Sequence, residues 1–418
     1  MNRIILVGNG FDLAHGLSTS YASFIDWYWG EWEKVLRGSK NQEEADALCC
    51  FRLASEDKSF VDFLGRFKPR FDYVNKSEFI KSLAKISTCV NERSLFFERI
   101  CKSVNAKGWV DIENEYYELL KYPLGKTIYG NHKIVVEDLN RQLKYLQERL
   151  IIYLSTIEIN DEIKRENIND IIFSPIKHRD ISVSASNTLV EHVKHGLSCS
   201  DNELKMKLGL YKYSFSDFTY LSEFRKEQRS DDYLLRYELL ANKYPDEFLL
   251  PDGIMILNFN YTDTAKLYLP IPKPGFEINH IHGKLNNPES VIFGYGDELD
   301  DNYRDISNLN NNEYLKNFKS IKYLEADRYR KALEFMEAAP YQVYIMGHSC
   351  GNSDRTLLNT LFEHKNCVSI KPYYHKRKDG KDNYLDIVQN ISRNFTDMKL
   401  MRDRVVNKTF CEPFSEDI

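Results

Sequence analysis

The chain has 418 residues, enough for one large domain or two to three ordinary ones, and its 42% hydrophobic and 28% charged residues are those of a globular protein. A formal net charge of −5 excludes bulk attraction to nucleic acid or to an anionic membrane. Eight cysteines without a C-x-x-C pair exclude zinc-ribbon spacing and fit a reduced, cytoplasmic protein better than a disulfide scaffold, and no apolar window approaches the roughly 18 residues of a membrane span.

In chain order, the apolar run Arg3 to Val7 predicts a short strand, too brief for the apolar region of a signal peptide. Gly8-Asn9-Gly10, Phe11-Asp12 and Gly16 follow it. Glycines directly after an N-terminal strand admit close backbone approach to a phosphate, yet the spacing is neither a P-loop nor the ordinary dinucleotide fingerprint. The plain alternative is a tight turn with Asp12 capping a helix. Glu31 and Glu33 stand near the distance of a ribose-binding acid but fall in a helical pattern.

Between about 20 and 165 strand signals are few. "TSYASFIDWYWGEWEKVL" predicts a helix, and Val135, Val136, Leu139, Leu143, Leu146, Leu150 and Leu154 keep to one face of another. "GWVDIENEYYELL" presents Trp109, Asp111 and Glu113, with the two acids suited either to acid–base work or to a helix N-terminal turn. From 165 to 250, "DIIFSPI" and "DISVSAS" predict short strands, and "SDDYLLRYELLANKY" a helix.

The texture changes at Pro251. "GIMILNFNYTD", "FEINHIHG" and "SVIFGYG" predict three strands, and "NNEYLKNFKSIKYLEADRYRKALEFMEAA" a long charged helix. Then come a strand and turn in "YQVYIMGHSCG", a helix in "NSDRTLLNTLFEH", a strand in "CVSIKPYY" and a helix in "DNYLDIVQNISRNF". Alternating strands and helices argue for an α/β fold with a doubly wound parallel sheet. The expected domains are residues 1–20 plus 250–410, a discontinuous α/β nucleotide-binding domain, and 21–249, a mainly helical insertion. Ligands of open parallel sheets bind outside the strand carboxyl ends, so "GNGFD", "NFNYTD", "HIHG" and "GHSCGNSD" are expected to converge on one crevice.

Each segment has its own chemistry. Asn258, Asn260, Thr262 and Asp263 suit the holding of water or ribose hydroxyls, or an Asx-type turn. His280 and His282, two apart on an expected strand, are expected to share a face. No acidic partner at helix spacing completes a metal set, so no metal is expected, and a single histidine acting near neutral pH is the better reading. "GHSCG" matches the G-x-S-x-G nucleophile elbow around Ser349. Only Asp354 and Glu363 as acids, and His364 and His375 as bases, follow it closely enough to serve a triad, without room for the strands that should separate them.

The segments "LVGNGFDLAHGL", "WVDIENEYYELL", "LNFNYTDT", "HIHGKL…IFGYGDE" and "IMGHSCGNSD", in this order, resemble the AbiH family of bacterial abortive-infection, phage-defence proteins, from residue 4 to about 395. A more distant likeness is to sirtuin-like, Rossmann-type NAD-binding domains. Gly8-Asn9-Gly10 and Gly16-Leu17-Ser18 stand at their glycine turns, Asn260-Tyr261 at the Asn-containing motif, Ile281-His282-Gly283 at Leu-His-Gly, and Gly347-His348-Ser349 with Asp354 at the last motif. The resemblance implies Asn260 and His282 as the catalytic pair. It implies Gly8, Asn9, Gly10, Asp12, Gly16, Asn258, Gly283, Gly347, Ser349 and Asp354 around NAD, as substrate or ligand.

Two positions depart from that pattern. Asp12 stands where such chains usually carry Ser, and Thr262 where the motif has Asp. An acid beside a pyrophosphate repels it unless it caps the helix or reaches a ribose hydroxyl. The four-cysteine zinc module of protein deacetylases is missing, which leaves simple hydrolysis: an NAD or related nucleotide glycohydrolase releasing nicotinamide, gated by a phage-derived trigger, a partner protein or homo-oligomerisation. The alternatives are a serine hydrolase using Ser349 and a non-catalytic nucleotide-binding sensor of infection.

Overall fold

The computed structural model describes residues 1–416 except 55–57, 68–75, 84, 87, 108–110, 122–133, 212–214, 228–231, 242 and 272. Trp109 lies outside the described residues. Nine strands occur among them: β1 (Asn2–Val7), β2 (Glu43–Ala45), β3 (Cys49–Leu53), β4 (Cys89–Arg93), β5 (Ile254–Asn258), β6 (Phe276–His280), β7 (Tyr341–Met346), β8 (Cys367–Lys376) and β9 (Pro413–Glu416). Contacts divide the chain into two compact units: residues 1–16, 159–291 and 323–418 in one, 17–158 and 292–322 in the other. Residues 159–249, expected in the insertion, thus group with the α/β unit, and 292–322 group with the helical one.

The first unit is built on a six-stranded sheet in the order β6-β5-β1-β7-β8-β9, with every pairing parallel. All six residues of β1 are buried, as a central strand covered on both faces requires. The chain adds β5 and β6 on one side of β1, then β7, β8 and β9 on the other, so winding reverses between β1 and β7. The register is level: Val7 stands opposite Asn258 and Met346, and Asn258 opposite His280. Four strands therefore deliver their following residues to one edge of the sheet.

On one face Ile5, Val7, Ile254, Ile256, Tyr344, Met346 and Tyr373 pack with Phe11, Ile168, Ile172, Tyr268 and Phe414. Full burial of each such side chain stabilises the unit by roughly 1.5–3 kcal/mol relative to exposure. "DIIFSPI" contributes the helix Glu166–Ile172 to this face instead of the expected strand: Ile168 and Ile172, one turn apart, are both buried. "DISVSAS" forms a short 3-10 turn at Val183–Ala185, since only the amide of Ser182 reaches the sheet, at the Val368 carbonyl. The helices Arg355–Glu363, Tyr384–Arg393 and Met398–Arg404 pack on β8, and Arg328–Ala338 on β6.

The second unit contains the helices Tyr21–Gly38 and Val136–Leu154. The apolar face of the latter is buried from Val136 to Leu154, whereas Val135 precedes the helix as its exposed N-cap residue. The antiparallel sheet β2-β3-β4 was not expected. Its strands have five residues or fewer, and the alternation of buried Cys49, Phe51 and Leu53 is too short to stand out in the sequence. "SVIFGYG" is not a strand. Its backbone lies against residues 317–319 instead, with Tyr295 N–H on Asn317 O and Lys319 N–H on Tyr295 O. The long charged helix is broken into Asn312–Tyr314, Lys319–Lys322, Tyr323–Glu325 and Arg328–Ala338.

Candidate functional site

The turn after β1 is filled by protein backbone. The Gly10 amide donates to Gly347 O at 2.8 Å and the Phe11 amide to Gly8 O at 2.8 Å. A Cβ at Gly8 would stand 2.6 Å from His348 Cα, one at Gly10 2.9 Å from Gly347 Cα, and one at Gly347 2.0 Å from the Phe11 nitrogen. Gly347 also has φ +75°. The three glycines are therefore what lets the β1 and β7 turns touch. Asn9 is exposed at the outer edge. Gly16, with φ +78° and open space around it, ends the helix Asn9–Ala14 and stands apart from the site.

Asp12, on that helix, is buried. Its Oδ2 accepts the Thr262 hydroxyl at 2.7 Å, and its Oδ1 has no hydrogen-bond partner. Burial pushes its carboxyl up to about 6, against the pull of Thr262, Thr264 and Asn260. The two positions singled out in the sequence as departures thus meet each other.

β5 ends in Asn258, which is buried beside them. Its Oδ1 accepts the Asn260 amide at 3.0 Å and its Nδ2 donates to Thr262 O at 3.1 Å, holding the Asx turn the sequence suggested. Asn260 Nδ2 in turn donates to Gly8 O at 2.9 Å, tying the β5 turn to the β1 turn.

The two histidines after β5 part company. β6 stops at His280, so the alternation of strand side chains does not extend to His282 and the expected shared face is not formed. His280 Nδ1 lies 3.3 Å from Asn258 Nδ2 and its Nε2 3.4 Å from Asp263 Oδ1. Burial, reinforced by Lys284, pushes it well below the usual histidine value, so it is neutral at pH 7. His282 turns elsewhere: its Nε2 lies 3.2 Å from Asp354 Oδ1 and 3.2 Å from the Tyr323 hydroxyl. Gly283 backs this turn, with a Cβ there only 2.2 Å from Ser290 O.

From the β7 turn, His348 Nε2 lies 3.5 Å from Asp354 Oδ2, and its Nδ1 accepts the Cys350 amide at 3.0 Å. Phe259 fills the space between the imidazoles, its ring 4.1 Å from His348 and 5.2 Å from His282. His282, His348 and Asp354 are all at least nine-tenths buried. Four chain segments thus meet: Gly8–Asp12, Asn258–Thr262, His280–Gly283 and Gly347–Asp354. Sequence reasoning missed Tyr323, Phe259 and the roles of His348 and Thr262. His348 sat inside a quoted motif, whereas nothing in the sequence marks Tyr323.

Ser349 is exposed, and its carbonyl accepts from Asn390. Neither nitrogen of the adjacent His348 serves its hydroxyl. Of the histidines after it, His364 faces Glu337 and His375 faces Ser415, while Glu363 caps Thr396 and Asp397. Nothing here assembles a serine triad. Glu33 is bound to Arg37 within its helix. Asp111 caps the helix Ile112–Leu120, and Glu113 forms a buried pair with Lys319 at 2.8 Å, both within the second unit. Among the described residues no group of three or more His, Cys, Asp or Glu is arranged to hold a metal ion, and no helix is long and apolar enough to cross a membrane.

No curated protein and no solved structure matches the chain. A family described as bacteriophage abortive infection AbiH matches residues 4–375. That span covers the strand-end segments just described, and the chain belongs to this AbiH family of phage abortive-infection proteins.

Proposed function

We propose that the protein acts in abortive infection as a glycohydrolase of NAD or a closely related dinucleotide, on a sirtuin-like sheet edge. One observation carries the reading: the meeting of the four strand-end segments around Asn260, His282 and the β1 turn. The strand order, with its reversal between β1 and β7, is that of doubly wound nucleotide-binding sheets, whose ligands lie at the reversal. The turn amides of Gly10 and Phe11 are spent within the protein. The dinucleotide is therefore held mainly by side chains at the rim, with the exposed Asn9 and Ser349 suited to phosphate or ribose.

The chemistry asks little of the protein. In NAD the leaving nicotinamide is already cationic. The ribose C1′–nitrogen bond breaks with its electron pair going to neutral nicotinamide, and water adds to the oxocarbenium-like carbon. One proton is lost, and ADP-ribose is the second product. Asn260 orients the water or a ribose hydroxyl, and His282 takes the proton. Incubation of the purified protein with NAD, followed by mass spectrometry for nicotinamide and ADP-ribose, tests the reading. Release by wild type and its loss in His282→Ala and Asn260→Ala support it. Absence of release by wild type, or equal release by both variants, overturns it.

A further inference from the structure

We propose that His280 is a positioning residue whose Nδ1 lone pair holds the side chain of Asn258, and through it the turn that presents Asn260; the inference rests on the glycohydrolase reading for its effect on turnover only. The sheet brings the first two residues together. The last rung between β5 and β6 pairs Asn258 with His280, and both are buried.

The orientation of the Asn258 amide is fixed twice, by groups whose roles cannot be exchanged. Its Oδ1 lies 3.0 Å from the Asn260 backbone nitrogen, which only donates, and its Nδ2 lies 3.1 Å from the Thr262 carbonyl, which only accepts. Turned over, the amide would set oxygen against oxygen at Thr262 and N–H against N–H at Asn260. Nδ2 is thus the atom that faces His280 Nδ1 at 3.3 Å, and it gives its second hydrogen there. A nitrogen that receives a hydrogen carries a lone pair. The proton of the neutral ring therefore sits on Nε2, which lies 3.4 Å from Asp263 Oδ1.

Charged groups face the ring from three sides: Asp263 and Lys266 in the segment after β5, Lys284 after β6, and Arg328 at the start of the helix Arg328–Ala338. Burial and Lys284 oppose a charge on the imidazole, Asp263 favours one, and Lys266 and Arg328 oppose it, so the ring is neutral at pH 7. From it a chain of bonds runs to the site. His280 holds Asn258, Asn258 holds the Asn260 backbone, and Asn260 Nδ2 reaches Gly8 O at 2.9 Å. Without an acceptor at the Nδ1 position, Asn258 keeps a buried N–H with no partner, and the turn loosens at the residue that orients the water.

Two substitutions separate an acceptor from a filler of space. His280→Asn places Oδ1 where the imidazole has Nδ1 and leaves the rest of the ring volume empty. His280→Leu fills the volume and offers no acceptor. Hydrogen exchange of the Asn260 backbone amide, followed by NMR, is expected to quicken roughly tenfold in His280→Leu, the worth of one buried hydrogen bond left unmade, and less than about threefold in His280→Asn. Long-range 1H–15N spectra of the imidazole are expected to show Nε2–H at His280 in wild type. With NAD, kcat is expected to fall roughly tenfold in His280→Leu with KM nearly unchanged, and to stay within about threefold of wild type in His280→Asn.

A wild-type proton on Nδ1 overturns the proposal. So does exchange that quickens in His280→Asn as much as in His280→Leu, or more, which is the order that packing alone predicts. If wild type turns over no NAD, the glycohydrolase reading fails by itself, and the tautomer and the exchange rates still decide the positioning role. Should His280→Leu not fold, His280→Gln serves. Its amide lies at the position of Nε2 and leaves that of Nδ1 without an acceptor, so the same quickening is expected, and exchange as slow as in wild type counts against the proposal.

Discussion

The two ends of one sheet face carry buried polar clusters of opposite character. At the end where β1 begins, Arg3 is fully buried, donates to Ile172 O and Ser174 O, and lies 4.2 Å over the Tyr344 ring. Nearby, Lys371 and Asp180 form an ion pair at 3.0 Å with both side chains inaccessible. Burial disfavours the Lys371 ammonium, but Asp180, Tyr344 and Glu412 together hold it above the usual lysine value. At the other end, past the strand carboxyl termini, burial pushes the Asp12 carboxyl up to about 6 and holds His280 well below its usual value. The same depth of burial thus goes with paired charges that hold a helix on the sheet at one end, and at the other favours the uncharged forms of Asp12 and His280. What differs is the partner. The Lys371 ammonium faces the Asp180 carboxylate, whereas the Asp12 carboxyl faces the Thr262 hydroxyl.

The largest expected effect breaks the paired end. Lys371→Ala leaves Asp180 buried without its cation and should lower stability by about 3–5 kcal/mol, read by urea unfolding at pH 7. Two substitutions at the other end then have opposite signs. Asp12 is pushed from the usual 3.8 to about 6, so the folded chain binds more protons than the unfolded one in that window. Its contribution to stability therefore falls as pH rises from about 4 to 6 and stays low above. Asp12→Asn, which can still accept from Thr262, should gain on wild type across this range by up to about 3 kcal/mol. His280 is held below its usual 6.5, so its contribution is complete above that value and is lost as pH falls through it. His280→Gln should lose less than wild type on acidification below pH 6.5, by an amount of about 1–3 kcal/mol. Thermal melts of the three proteins from pH 4 to 7.5 check both signs; parallel curves would refute them. The smallest effect is at Gly16, where φ +78° with open space makes Gly16→Ala cost about 1 kcal/mol of strain. At Gly347 the same change meets the Phe11 nitrogen at 2.0 Å and belongs with the large losses.

These contrasts also mark what the sequence could convey. The central strands were legible because a parallel strand buried on both faces is a bare apolar run, as in "RIILV" and "IMIL". The four strand-end motifs were legible because polar and glycine residues break such runs abruptly. The pairing of Asp12 with Thr262, of Asp354 with two histidines, and the approach of Tyr323 were not, because each joins residues 41 or more positions apart or depends on which way a turn faces. β9 and the small sheet β2-β3-β4 were lost for another reason: three to five residues carry too little alternation to separate from loop. The histidine pair shows the limit of periodicity itself, since one residue past the end of β6 was enough to send His282 to different partners.

The contact between Asp12 and Thr262 has a consequence for which side chains the pair tolerates. Asp at 262 would set two acids face to face without a donor, and a side chain without a hydroxyl there would take the hydrogen bond from Asp12 Oδ2 while Oδ1 already has none. A buried acid thus ties position 262 to a hydroxyl, and a change at either position is felt at the other.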